Sequence, residues 1–94
     1  MALAPDILRR INRDFIDPAD AAQAIARLGA ARAEAPDLYT DRIQRCAVFV
    51  AAGEMETLER ALALAVVDAR DLIVWAEYDN RFEAQLRDLA RPFT

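Results

Sequence analysis

Asp68-Ala69-Arg70-Asp71-Leu72-Ile73-Val74-Trp75-Ala76-Glu77-Tyr78-Asp79-Asn80 is the stretch whose reading decides the fold. Asp68 suits a helix cap, because its carboxylate can accept from the first free backbone N–H groups, and Asp71 lies where the helix dipole favours negative charge. Leu72 to Ala76 are then apolar without interruption, covering every side of a helix, the pattern of a helix enclosed by others. The only Trp, Trp75, lies here. Residues 69–79 are therefore predicted to form the central helix of an all-α domain, an irregular bundle of five to six helices over residues 1–94.

Outward toward the N-terminus, the other segments also read as helices. Hydrophobic residues make up 55% of the chain, but 21 of them are Ala and only two residues are Gly, which favours helix over strand. Pro5 and Asp6 suit a first turn, with Ile7, Leu8, Ile11 and Phe15 on one face. Asp17-Pro18 is a helix start leading into Ala19–Leu28, with Ala21, Ala22, Ile25 and Leu28 inward. That helix is expected to end or bend near Gly29, a longer helix to Glu34 being the alternative.

Asp37 is the expected cap of a third helix reaching about Ala52, with Tyr39, Ile43, Cys46, Ala47 and Val50 buried. Gly53 should stop it. A fourth helix follows from Glu54 to about Val66, with Met55, Leu58, Leu62, Ala65 and Val66 as its stripe.

Beyond the central stretch, Phe82, Leu86, Leu89 and Phe93 recur at four, three and four residues. Asn80 with Glu83 forms a capping-box pattern, so a new helix or a kink is predicted at Asn80. One continuous helix from Ala69 to Ala90 is the alternative. Residues 81–94 are then a candidate docking or oligomerisation helix whose Phe82, Leu86, Leu89 and Phe93 seam meets either the parent core or a partner.

Composition narrows the chemistry. The chain has no His, no Lys and no Ser, and all twelve basic residues are Arg. The commonest acid/base group, transition-metal ligand and acyl-transfer nucleophile are absent, and so is the Lys of Schiff-base and Walker-type sites. Hence no catalytic residue, metal or cofactor is assigned. The net charge of −4 gives no basic excess for nucleic acid. One Cys cannot form an intrachain disulfide, Met1–Asp6 is too short and polar for a signal peptide, and no apolar run is long enough to span a membrane. A cytoplasmic, soluble protein is expected.

Gly53-Glu54-Met55-Glu56-Thr57-Leu58, with Arg70-Asp71-Leu72-Ile73-Val74-Trp75-Ala76-Glu77-Tyr78, resembles a pattern of small bacterial helical proteins of unknown function. In that family a Gly-acidic-Leu helix start precedes an Arg-Asp-Val-Leu-x-Trp-Ala-Glu-Tyr segment. The resemblance implies an all-helical fold in a bacterial protein and carries no chemistry.

A few residues invite a functional reading beside a structural one. Cys46 reads as a small buried hydrophobe, since no His is present to activate it. Glu77 lies in the most apolar segment, where a carboxylate, if buried, must be paired, hydrogen-bonded or protonated. It either faces a ligand together with Tyr78 and Arg70, or locks helices through Arg70, Arg42, Arg45 or Arg81, or lies exposed on a thin polar edge. Arg9, Arg10 and Arg13 form either an anion-binding patch or a solvated face near Asp6 and Asp14. Glu54, Glu56, Glu59, Asp68 and Asp71 are read as surface acids that complement helix dipoles rather than as metal ligands.

The expected function is a non-catalytic protein-interaction or accessory module, acting through an apolar groove or a homo-oligomer face on a protein partner or a second copy. The alternatives are a small-ligand binder or enzyme using Glu77, Tyr78 and an Arg, and a helix-turn-helix DNA-binding protein with Arg70-Asp71 opening the recognition helix. Glu77 and Asp79 would then face phosphates, so a nucleic-acid partner is not expected.

Overall fold

The computed structural model describes residues 3–93. Its helices are α1 (Pro5–Asp14), α2 (Pro18–Glu34), α3 (Asp41–Ala51) and α4 (Met55–Glu77). The fold is all-α, with four helices among the described residues rather than the five or six expected. The predicted fourth and fifth helices are one element. Asp68 departs from helical geometry inside α4 (φ −158°, ψ 105°), yet its side chain accepts from the Arg70 backbone N–H at 2.9 Å and restarts the helix at once. Asp68 therefore caps as expected, at the kink where the two predicted helices join into α4.

The hub of the bundle is α3, not residues 69–79. Ile43 through Val48 are buried in succession, and the most extensive helix–helix contact is between α3 and α4. From the central stretch only Leu72, Ala76 and Glu77 are buried, while the Trp75 side of the helix is open and Trp75 itself is 47% exposed. An uninterrupted apolar run names no inward side; here α3 takes the Leu72–Ala76 edge and leaves Trp75 in solvent.

Local signals place the remaining elements. Asp17 accepts from Ala19 N–H at 2.8 Å, and Ala21, Ala24, Leu28 and Ala31 are the buried stripe of α2. The helix runs through Gly29 to Glu34, the longer of the two expectations. A Cβ at Gly29 would meet nothing within 4 Å, and the surrounding Ala residues outweigh one Gly. Thr40, not Asp37, caps α3 by accepting from Ile43 N–H at 3.3 Å. Ala52 and Gly53 then turn the chain with φ of 49° and 85°. A side chain at Gly53 would overlap the Asp14 carbonyl oxygen, so this turn also seats the end of α1. Val66, expected in the fourth stripe, is exposed.

The core is built from Ile7, Ile11 and Phe15 of the α1 segment, Leu28 of α2, Cys46 and Val48 of α3, and Leu58, Leu62 and Leu72 of α4. Each such large side chain contributes roughly 1.5–3 kcal/mol by leaving water. Tyr39 OH donates to the Leu62 carbonyl at 3.1 Å and locks the α2–α3 link onto α4.

Among the described residues, 81–93 contain no helix, which corrects the terminal helix, the continuous helix to Ala90 and the seam. α4 ends at Glu77 and Tyr78 is extended, pairing with Gln85 in an isolated antiparallel bridge. Asp79 organises the turn: its side chain accepts from Arg81 and Glu83 N–H at 3.1 and 3.0 Å, and its carbonyl from Phe82 N–H at 3.0 Å. The capping role expected of Asn80 belongs to the preceding Asp, and it stabilises a turn. Helical spacing therefore has no meaning beyond Asn80. Leu89 is buried, Phe93 packs partly on the core, and Phe82 and Leu86 are exposed.

Candidate functional site

Two arginines one turn apart on α3, Arg42 and Arg45, each take a buried carboxylate, and each ion pair also anchors the segment after α4. Glu77, fully buried at the end of α4, accepts from Arg42 Nε at 2.9 Å and Nη2 at 2.7 Å. Gln85 Nε2 donates to the same carboxylate at 2.7 Å, Leu89 N–H at 3.3 Å, and the Cys46 thiol at 3.8 Å. The Glu77 carbonyl accepts from Leu86 N–H at 2.6 Å. A carboxylate has about four acceptor positions, and those of Glu77 are taken.

Asp6 and Arg45 form the second pair, with Arg45 Nε at 2.9 Å and Nη2 at 3.2 Å from the carboxylate. Phe93 N–H donates to Asp6 at 3.0 Å, and Arg45 Nη1 reaches the Leu89 and Ala90 carbonyls at 3.4 and 3.3 Å. Sequence reasoning placed Asp6 in a first turn and beside the arginines of its own helix, not with Arg45. The pair spans 39 residues, and no local pattern signals it.

Titration follows from this geometry. Burial pushes the Glu77 carboxyl up, but the hydrogen bonds from Arg42 and Gln85, the Arg42 charge and the Leu89 N–H outweigh it and hold it below its ordinary value. Asp6 is held low chiefly by the Arg45 hydrogen bond, helped by the Phe93 N–H, against a smaller opposing effect of burial. The hydrogen bond to Glu77 raises Arg42. Cys46 goes the other way, raised to about 12 by burial and then by the neighbouring Glu77 charge. A thiol that stays protonated is not a nucleophile.

The expected grouping of Glu77 with Tyr78 and Arg70 does not form. Arg70 projects into solvent and pairs with Asp68, and Arg42 holds Glu77 instead. Tyr78 is half-buried at the bridge to Gln85. The recognition helix of the helix-turn-helix reading, opened by Arg70-Asp71, is the part of α4 that follows the kink at Asp68. Among the described residues, no group of three or more His, Cys, Asp or Glu side chains is placed to hold a metal ion, and no helix is long and apolar enough to cross a membrane.

What lies open is apolar. Leu64, Val74 and Trp75 of α4, together with Phe82 from the turn, line a groove of about 290 Å³ whose one charged wall residue is Asp71. Phe82 is 68% exposed and has a left-handed backbone, φ 60°. Of the predicted seam only Phe82 lines this groove; Leu89 and Phe93 are turned to the core. Trp75 was visible in the sequence but read as interior.

Comparison of the chain with family models, with curated proteins and with solved structures finds no match to any of the three.

Proposed function

We propose that this chain is a non-catalytic protein-interaction module, and that the α4 groove walled by Leu64, Val74, Trp75 and Phe82 receives an apolar segment of a partner protein. The carrying observation is the exposure of Trp75 and Phe82 on one concave, largely apolar surface. Large aromatics left in water at a groove are the usual anchors of protein interfaces. Asp71, without an ion-pair partner among the described residues, favours an occupant carrying an Arg or Lys beside its apolar face. Glu77, the acid singled out for a ligand or catalytic role, is buried and engaged by Arg42, which supports the non-catalytic reading.

A photo-crosslinking amino acid at Phe82, used in cells of the source organism, tests the proposal. The expected result is a discrete crosslinked protein that is lost in Trp75→Ala and when the crosslinker is moved to exposed Ala30 on α2. Crosslinking only to bystanders, unchanged by Trp75→Ala, would rule the groove out. A crosslink to a second copy of this chain would replace the partner segment by self-association.

A further inference from the structure

The face where α1 meets residues 87–93 has the opposite electrostatic character to the rest of the chain. Arg9, Arg10 and Arg13 of α1 gather at Phe93, and Arg87 and Arg91 of the last segment lie beyond it around Phe49 and Phe93, with Arg10 common to both groups. Arg10 lies 4.6 Å from the Phe93 ring centre and 5.6 Å from that of Phe49, and Arg87 lies 4.3 Å from Phe49. Two guanidinium groups thus flank a single ring.

Carboxylates do not match this charge. Asp14 is shared by Arg10 and Arg13, and Asp88 stands 3.8 Å from Arg91. Asp6, which lines the hollow beside Arg9, Arg10 and Arg13, is engaged by Arg45. Arg9 and Arg87 have no carboxylate within ion-pair distance among the described residues, Arg87 Nη1 donating instead to the Ala76 carbonyl, although the chain carries 16 acidic groups against 12 basic ones. Nearly every other arginine has one. Assembling like charges costs free energy, and a bound anion offsets that cost.

The space fits. A hollow of about 100 Å³ lies among Arg9, Arg10 and Arg13, and a second of about 410 Å³ lies beside Arg87 and Arg91; Arg10 and Phe93 border both. Arg10 is already held by its stacking and by Asp14, with 18% of its side chain exposed, so little freedom is lost when it binds. Guanidinium forks donate in pairs to phosphate oxygens, and a tetrahedral dianion can accept from several forks at once, which one carboxylate cannot.

We propose that this face binds the phosphate or diphosphate group of a small molecule, with Arg9 and Arg13 on one side and Arg87 and Arg91 on the other. The site is separate from the α4 groove. Confinement to one end of a chain of net charge −4 suits a compact anion better than a polynucleotide.

Pyrophosphate is the probe, titrated by calorimetry and amide chemical shifts at a constant ionic strength of about 0.15 M. The expected result is saturable one-to-one binding with Kd below about 1 mM. Arg91→Gln and the double variant Arg9→Gln/Arg13→Gln should each weaken it about tenfold or more, with unfolding midpoints near that of the parent, since Arg91, unlike Arg87, holds no contact to α4 among the described residues. Trp75→Ala should leave it unchanged. Shifts that never saturate, equal effects from chloride at matched ionic strength, or affinity indifferent to both Arg variants would each overturn the proposal. Tight binding of single-stranded oligonucleotide with no response to pyrophosphate would overturn it too.

Discussion

Glu77 closes α4 with its carboxylate against the guanidinium of Arg42, at 2.7 and 2.9 Å, across 35 residues of chain. The same carboxylate holds Gln85 and Leu89, so one residue terminates the longest helix, fixes it to α3 and gathers in the non-helical end. Breaking a buried ion pair costs more than the pair contributes, because it strands the remaining polar groups. Glu77→Ala should lower unfolding free energy by about 3 kcal/mol, and Glu77→Gln by somewhat less, since Arg42 can still reach water. Urea titration measures this, and amide exchange at residues 85–89 should quicken in both variants. An unchanged midpoint would remove Glu77 from its structural role.

Acid should act through Glu77 and Asp6. Both carboxyls are held below their ordinary values of 4.5 and 3.8. Above about pH 5 they are ionised in the folded and unfolded chain alike, and their stabilisation is fully present. As pH falls through those ordinary values the unfolded chain takes up protons first, and stability drops until the folded carboxyls protonate as well. The urea midpoint should therefore decline below about pH 4.5, less steeply in Glu77→Gln. A midpoint that rises on acidification would contradict both ion pairs.

Cys46 should resist thiol reagents in the native protein. With its pKa raised to about 12 and no surface exposed, labelling at pH 8 should follow unfolding and accelerate in urea in step with loss of helix. Rapid stoichiometric labelling without denaturant would be incompatible with this burial.

Gly53→Ala should be costly for a residue in a turn. The substitution forces a side chain into a left-handed conformation and into the Asp14 carbonyl, so α1 must move. A loss of about 2 kcal/mol or more is expected from calorimetric unfolding.

Phe82 should separate stability from binding. Glycine relieves its left-handed backbone, so Phe82→Gly is expected to leave stability equal or up to about 1 kcal/mol higher while abolishing partner capture by a crosslinker placed at Asp71 on the groove wall. A large loss of stability would show that the Phe82 ring is held by the fold.

Much of the fold was legible because its causes are local. Asp17 caps α2, Asp68 caps the second part of α4, and Gly53 turns the chain, each acting on backbone groups a few residues away. The demand that Glu77 find a cation if buried was legible too, since it follows from the cost of an unpaired charge. The terminal segment was misread because an i, i+3, i+4 spacing implies a face only on a helix, and Asp79 diverted the chain before one could form.

Sequence alone determined that this chain is helical, poor in catalytic groups and obliged to neutralise Glu77 wherever the fold buries it, because propensity, capping and residue chemistry operate within a turn or need only composition. Tertiary structure decided that α3 is the hub, that Arg42 rather than Arg70 meets Glu77, that Asp6 and Arg45 find each other, and that Trp75 faces water. Those outcomes depend on which faces meet across tens of residues, and every face of an all-apolar stretch reads the same until a neighbour covers one of them.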